Sequence, residues 1–305
     1  MTIKNRVSPT YARAMAIRES RAAGIDAVEL ATELLHRVRR ADPTAGIWEA
    51  ADRQWWWRTP RSSDAIEQLF WVDDDGPVAA ALLTEWGTGW GCDPIVVPNA
   101  TAPPLAIVWS RAFELIATLP ATTVEVAVRE DDTELRTLLT RSGYTATGDT
   151  SGETWMAAAD CPPLPGVPAG FRLIDRVIAR HRPHPMRGRN GDAVETRLRE
   201  MSLYDPALDL EIVAENGETA GYALFWYDAA TGVGMVEPMR TEDAYQRRGL
   251  ARVLLATGLN RLVGRGAERL KVAFATDAAR DLYVGAGFRV GAMCEAFTRP
   301  SGSVE

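Results

Sequence analysis

An order of predicted elements occurs twice along this chain of 305 residues, and the repeat constrains the fold more than any single segment does. In the second half, strand patterns at residues 233–239 and 268–275 are each followed by a helical pattern, and the series stops at Gly287-Phe288. The first half shows the same order, with strands at 93–98 and 123–129, helices at 105–119 and 133–142, and a stop at Gly143-Tyr144. An internal repeat of this kind predicts two similar domains in tandem.

The loop between the first strand and helix of the second series has the composition of an anion site. Residues 246–251 read Gln-Arg-Arg-Gly-Leu-Ala and lead into a helix. A helix N-terminus presents free N–H groups and positive dipole charge, and Gly249 and Ala251 let an anion come close to the backbone. Guanidinium groups suited to phosphate surround the loop, at Arg247, Arg248 and Arg252. The sequence therefore predicts a pyrophosphate-binding loop.

Two other nucleotide motifs do not fit this loop, and one plain alternative stays open. The loop lacks the Lys-Ser/Thr ending of a P-loop and the three glycines of a dinucleotide fingerprint. A solvated basic turn that caps an ordinary helix has the same composition. In the first half, residues 98–104 carry three prolines and neither glycine nor cation, so the same loop cannot form there.

Two motifs in the right order resemble those of the GCN5-related N-acetyltransferase (GNAT) superfamily. The loop resembles its Gln/Arg-x-x-Gly-x-Gly/Ala signature, and the later helix resembles its Leu-Tyr-x-x-x-Gly-Phe ending, matched by Leu282, Tyr283, Gly287 and Phe288. The resemblance spans about residues 170–295. Two positions depart from the pattern, because Thr276 replaces an Asn that often opens the helix and Asp243 replaces a Pro before the loop.

The resemblance implies an α/β fold of layered α+β type, with two tandem GNAT-like domains that each hold a mixed, splayed central sheet flanked by helices. It also implies acetyl-CoA as acetyl donor and CoA as product. The residues expected to bind it are Met239, Arg240, Thr241, Gln246, Arg247, Arg248, Gly249, Leu250, Ala251, Arg252 and Thr276.

Candidate catalytic groups lie on the strand before the loop and on the later helix. Pro238 removes one N–H from the strand's ladder, so this strand should splay from its neighbour. Glu237 precedes the splay and can take a proton from an ammonium group; the alternative is a surface charge at a strand edge. The resemblance implies that Tyr283 protonates the departing thiolate; the alternative is a core aromatic residue.

The predicted domain boundaries follow from composition. Residues 161–169 are rich in proline and predict a stiff linker. Residues 1–160 then form a degenerate N-terminal GNAT-like domain without the loop, and residues 170–305 form the catalytic domain. The N-terminal domain would support the structure or shape the substrate entrance.

Charge and cysteine content exclude several classes of function. A net charge of −7 argues against general binding to nucleic acid or to an anionic membrane. Three cysteines and three histidines, without metal-ligand spacing, suggest neither disulfides nor a metal site. We expect a cytoplasmic monomer or homodimer that acts on a small-molecule or peptide amine.

Several further segments have local patterns. Helical segments are predicted from Ser8 onward with a break at Gly24, and a helix is predicted at 192–204. The tryptophan-rich run at 54–58 is interpreted as packing, although exposed aromatic residues can also mark recognition. The basic, proline-broken run at 180–189 is a loop, either solvated or beside the acceptor site.

Taken together, the sequence predicts an N-acetyltransferase that moves the acetyl group of acetyl-CoA to an unknown amine by direct attack. The alternative is a non-catalytic acetyl-CoA-binding or scaffold protein with the same fold.

Overall fold

The computed structural model describes residues 17–119 and 123–299 of the chain. Within these ranges it contains twelve β-strands and eight α-helices. The strands are β1 Arg18–Ala22, β2 Gln68–Asp73, β3 Gly76–Glu85, β4 Trp90–Val96, β5 Val124–Arg129, β6 Thr145–Ala157, β7 Phe171–Asp175, β8 Asp209–Ala214, β9 Thr219–Asp228, β10 Val233–Thr241, β11 Arg269–Phe274 and β12 Arg289–Arg299. The helices are α1 Gly24–Ala41, α2 Ala50–Trp56, α3 Leu105–Ile116, α4 Thr133–Arg141, α5 Arg187–Asn190, α6 Val194–Arg199, α7 Leu250–Arg265 and α8 Asp277–Gly285.

All twelve strands belong to one continuous mixed sheet, in the order β1-β2-β3-β4-β5-β12-β6-β11-β10-β9-β8-β7. Each half contributes an antiparallel series that ends in one parallel pair, β4 with β5 and β10 with β11. The predicted α/β fold with two similar halves is confirmed, and so is the repeated element order.

The last strand of each half is exchanged across the middle of the sheet. β12 lies beside β5 of the first half, with Cys294 opposite Arg129 and Arg299 opposite Val124. β6 lies beside β11 of the second half, with Lys271 opposite Trp155. The two exchanged strands also pair with each other. The sheet is therefore continuous across the proposed linker, and the boundaries at 160 and 170 stay a prediction about folding units.

Helices cover both faces of the sheet and divide the core. α7 and α8 bury the apolar side of β8–β11, with Leu254, Leu259 and Phe225 at the centre. α3 does the same for the first half. α2 belongs to the first half by sequence, but Trp55 packs with Trp226 and Met235 of the second half. The first half therefore forms part of the wall of the second.

Two predictions of secondary structure need correction. Arg18–Ala22 is a strand rather than a helix, because it pairs along β2 at the edge of the sheet, and pairing outweighs the helical spacing of its few apolar residues. The break at Gly24 is confirmed, since Gly24 has φ of 61° and opens α1. Residues 8–16 lie outside the described ranges. The helix predicted at 192–204 is shorter, Val194–Arg199, and turns complete the segment.

Candidate functional site

The predicted splay of β10 is present. β10 pairs with β11 from Val233 to Val236, and this pairing ends before Glu237. β10 continues along β9 as far as Thr241, with a register shift between Val236 and Met239. Residues 237–241 therefore have one edge bonded to β9 and one edge turned toward an opening in the sheet. Such an edge can accept an extended ligand as a sheet accepts an added strand.

The predicted loop stands at the end of β10 and opens α7. Gly249 is the residue before the helix and has φ of 80°, which a residue with a side chain rarely adopts. A Cβ atom at this position would meet nothing within 4 Å, so the space above it is open. Across residues 17–119 and 123–299, no hydrogen-bond acceptor is recorded for the backbone N–H groups of residues 247–252. This is the backbone arrangement that binds phosphate at a helix N-terminus.

The arginine side chains around the loop differ in whether a carboxylate already pairs with them. Arg240 forms ion pairs with Glu242 and Asp243, so its guanidinium is already neutralised. Arg248 lies over the ring of Tyr245 and donates to the Ala244 carbonyl at 3.2 Å. In the described part of the chain, none of Arg247, Arg248 and Arg252 has a carboxylate partner, and all three are exposed. They keep their charge available for an anion.

Thr241 and Gln246 lie between the opening and the loop. The Thr241 hydroxyl is buried, and no hydrogen-bond partner for it is found in the described ranges. Gln246 donates through Nε2 to Asp243 at 3.2 Å and to the Thr241 carbonyl at 3.5 Å. Met239 packs against the core of the second half. A buried hydroxyl without a partner, beside a free strand edge, can form a hydrogen bond to a ligand that lies along that edge.

Glu237 is the first residue beyond the end of the β10–β11 pairing, and its side chain lies near residues of α2. Its main-chain carbonyl accepts the Trp226 indole N–H at 2.7 Å. Its carboxyl group lies near the Trp55 side chain. Burial and the charge of Asp52 raise the pKa of Glu237 to about 7, although nearby Arg58 and Trp55 oppose this rise. A carboxyl with that pKa exchanges protons near neutrality, as a general base must.

Asp52 is a second carboxyl group in this region, and the sequence patterns did not point to it. It lies one turn before Trp55 on α2, and its Oδ2 accepts the Glu49 N–H at 2.7 Å. Burial raises the pKa of Asp52 to about 6, against the opposing charge of Lys271. Lys271 is itself buried and bonded to Glu49 at 3.0 Å and Glu153 at 3.1 Å. Asp52 therefore remains without a close cationic partner in the described ranges.

Tyr283 approaches the same region from the other face of the sheet. α8 begins after Thr276, whose hydroxyl accepts the Ala279 N–H at 3.2 Å and caps the helix. Tyr283 is buried two residues before the helix ends, and its ring packs edge-on against Phe288. Burial and the nearby charge of Glu237 raise the pKa of Tyr283 above its usual value. The phenol is therefore protonated at neutral pH.

The structure thus brings most of the predicted residues to one place. Glu237, Met239 and Thr241 line the free edge, the loop follows at the start of α7, and Tyr283 lies within electrostatic reach of Glu237. Three contributors from the first half were missed: Asp52, Trp55 and Arg58. The tryptophan-rich run did mark this segment, and its interpretation as packing holds for Trp55, which is 4% exposed.

The first half retains a similar opening without the loop. β4 pairs with β5 only at Trp90 and Gly91. Beyond this point lies a cleft of about 200 Å³, lined mostly by apolar side chains that include Ile95 and Leu105. α3 begins after Pro104 rather than after a glycine. The repeat therefore preserves the splay and loses the groups that attract an anion.

Comparison with known proteins agrees with this geometry. Residues 178–288 match the acetyltransferase (GNAT) family. The fold is similar to a tandem GNAT protein from the clavulanic acid biosynthesis pathway, with a TM-score of 0.69 and 16% identity over 95% of this chain and 100% of that chain. It is also similar to a GCN5-related N-acetyltransferase from Sphaerobacter thermophilus, with a TM-score of 0.60 and 18% identity over 95% and 97% of the two chains.

A third structure, a GCN5-related N-acetyltransferase from Kribbella flavida, has a TM-score of 0.54 and 16% identity over 93% of this chain and 98% of that chain. No curated protein matches the sequence. At these identities the structural likeness establishes the fold. None of the described helices is long and apolar enough to cross a membrane.

Proposed function

We propose that this chain, a GNAT-superfamily protein with the tandem fold, moves the acetyl group of acetyl-CoA onto an amine at a site in its second half. The observation that carries the proposal is the opening between β10 and β11. A carboxyl group with a pKa of about 7 stands at this opening, and unbonded helix N–H groups follow at the end of the same strand. The proposed acceptor is a small-molecule or peptide amine in the cytoplasm, and the proposed form is a monomer or homodimer.

The groups around the opening fit the chemistry of the donor. Residues 247–252 would hold the pyrophosphate through their N–H groups, and Arg247, Arg248 and Arg252 would neutralise it. The free edge at residues 239–241 and the Thr241 hydroxyl would bond the amide groups of the pantetheine arm. Thr276 stands at the start of α8, where it would contribute a weaker polar contact, because its hydroxyl already caps the helix. Bound in this way, acetyl-CoA supplies an activated thioester carbonyl.

The residues of the chain then supply the proton transfers. Glu237 takes a proton from the incoming ammonium group, directly or through water, and leaves a neutral amine. The amine nitrogen forms a bond to the acetyl carbon and the carbon–sulfur bond breaks, while a main-chain N–H of residues 239–241 stabilises the oxygen. Tyr283 gives its proton to the departing thiolate, and the second proton that the nitrogen loses as the amide forms returns the phenolate of Tyr283 to its neutral state. A protonated phenol suits this role because burial keeps Tyr283 neutral.

The first test follows thiol release across a panel of amines, with Glu237→Gln as the variant. We expect kcat/KM to rise with pH through a midpoint near 7, because only the ionised carboxylate of Glu237 accepts a proton. Glu237→Gln should lower the rate by about 10²–10⁴-fold and remove this dependence. Glu134→Gln, which makes the same charge change at an exposed position of α4, is the control. Binding of acetyl-CoA without thiol release from any amine would favour the non-catalytic alternative.

A further inference from the structure

The guanidinium of Arg58 lies in the candidate site, where no residue of the described ranges provides an anionic partner for it. It stacks on the Trp55 ring at 3.8 Å, donates from Nε to Asn190 Oδ1 at 2.7 Å and donates from Nη1 to the Trp55 carbonyl at 3.1 Å. These acceptors are all neutral, and Arg58 forms no ion pair with any described carboxylate. Burial, with the nearby charge of Arg61, lowers the pKa of Arg58 to about 10. A partly buried cation without a counter-ion is stabilised when a carboxylate ligand pairs with it.

Trp55 lies beside both this cation and the Glu237 carboxyl group. Its ring face carries Arg58 at 3.8 Å, and its side chain is near enough to Glu237 to lower the pKa of that carboxyl group. Arg58 and Glu237 influence each other electrostatically, yet they form no ion pair. Asp52, one turn earlier on α2, adds a second negative charge on the Glu237 side. Trp55, Arg58 and Asp52 therefore all lie near Glu237, the first residue beyond the β10–β11 pairing, and Trp55 is the side chain that the cation stacks on.

We propose that the acceptor is an amino-acid-like molecule whose carboxylate binds Arg58 and whose amine lies between Asp52 and Glu237. The inference rests on the proposed function and names its substrate class. A zwitterion supplies both missing partners at once, whereas a simple amine would leave Arg58 unpaired in a partly buried place. Because Asp52, Trp55 and Arg58 all come from the first half, that half recognises the acceptor while the second half binds the donor.

A structural role for Arg58 is the competing explanation, since Asn190 belongs to the second half. The same interface contains a matched pair: Arg197 lies 3.7 Å over the Trp57 ring and is ion-paired with Asp64 at 2.6 Å. Arg197 is not among the groups that shift the pKa of Glu237. Loss of Arg197 therefore weakens the interface without changing the charges around the acceptor, and Arg197→Gln serves as the control.

The test compares amino acids with the amines that remain when the carboxylate is removed, such as leucine with 3-methylbutylamine and phenylalanine with 2-phenylethylamine. Thiol release from acetyl-CoA is measured for each pair. We expect the amino acids to have KM values lower by about 10–100-fold, the value of a charge-assisted contact. Arg58→Gln should raise KM for the amino acids by that factor and leave KM for the matching amines unchanged. Arg58→Lys should restore part of the preference, because it keeps the charge without the planar fork.

A second readout concerns Asp52. Around Glu237 the charged and titratable groups are Asp52 and Arg58 on the α2 side, Tyr283 on α8, and, next to these, Lys271 on β11 and Tyr222 on β9. Asp52→Asn removes the like charge that raises the pKa of Glu237 and keeps an oxygen for the Glu49 N–H. The ascending limb of kcat/KM should therefore move to lower pH.

Two results would overturn the inference while leaving the proposed function intact. One is equal or better turnover of the carboxylate-free amines. The other is an equal rise of both KM values in Arg58→Gln, matched by Arg197→Gln. Thermal melting and acetyl-CoA affinity, measured for every variant, show whether each has folded. Absence of thiol release from every acceptor, with acetyl-CoA still bound, would overturn the proposed function and this inference with it.

Discussion

Tyr283 is the residue on which the catalytic and non-catalytic interpretations differ most directly. It is 7% exposed and packed against Phe288, so much of its ring serves the core in either case. Only the hydroxyl group would have a role that differs between the catalytic and the non-catalytic interpretation. Its raised pKa reflects burial and the charge of Glu237, and a buried acid close to a carboxylate keeps its proton until a stronger base, such as a thiolate, forms beside it.

We therefore predict that Tyr283→Phe lowers the rate of acetyl transfer by about 10²–10⁴-fold, the usual contribution of a positioned proton donor. Folding and acetyl-CoA affinity should hardly change, because the ring remains. Leu139 occupies the corresponding place before Gly143-Tyr144 in the first half and is fully buried, so an apolar side chain suits this helix position. Single-turnover kinetics of the acetyl step provide the measurement. A variant with the parent rate would remove Tyr283 from the mechanism.

The residues of the site differ in how well the sequence could predict them. Glu237, Gly249 and Tyr283 lie in local patterns of strand, loop and helix, so spacing and resemblance were enough to select them. Asp52 and Arg58 reach the site because α2 packs on β9 and β10, about 180 residues further along the chain. No local pattern contains that contact. Their roles depend on tertiary packing and on the charges it leaves unpaired.

At the scale of elements, α7 is largely buried, but the loop at its N-terminus is exposed. Leu250 is buried although the loop before it is exposed, and Gly258 lies so close to the Phe225 ring that a Cβ atom would stand 2.0 Å from it. The helix is thus held tightly on the sheet along its length. This contact fixes the direction in which the N–H groups of residues 247–252 point.

We predict one acetyl-CoA site per chain by calorimetry, abolished by Arg247→Glu combined with Gly249→Glu. The pair puts negative charge and bulk where the phosphates would lie, and affinity should fall by about 100-fold or more. Gly264→Glu is the matched control, because it places the same side chain in open space near the other end of α7. Two sites per chain, or unchanged affinity in the double variant, would contradict the assignment of the loop.

β6 and β12 are two strands that the sequence did not predict, and the reason is physical. β6 carries Thr, Ser and Gly through its first half, without the alternation of a half-buried strand. It is stabilised instead by neighbours on both sides, since it pairs with β11 and with β12. Such a strand forms because β11 and β12 both offer it an edge to pair with. The exchange of strands between the halves therefore follows from these pairings and not from the local propensity of the β6 sequence.

At the scale of the whole molecule, the exchange makes each half incomplete alone. A fragment of residues 168–305 would lose β6, which leaves one edge of β11 open and deprives β12 of both its neighbours. It would also lose α2 and uncover Trp226 and Met235. Open strand edges and exposed apolar faces promote association. We therefore expect the first half to be required, even though it lacks the loop that is proposed to bind the anion.

We predict that residues 168–305 expressed alone are insoluble or aggregated and release no thiol. Co-expression with residues 1–167 should restore a soluble, active complex, because the cut falls in the linker at residues 161–169 and both exchanged strands are then present. Gel filtration, thermal melting and thiol release on the fragment, the pair and the intact chain provide the comparison. If the fragment alone is a stable monomer with the activity of the intact chain, then neither β6 nor α2 is needed to complete the site. In that case, acceptor recognition would have to lie entirely within the second half.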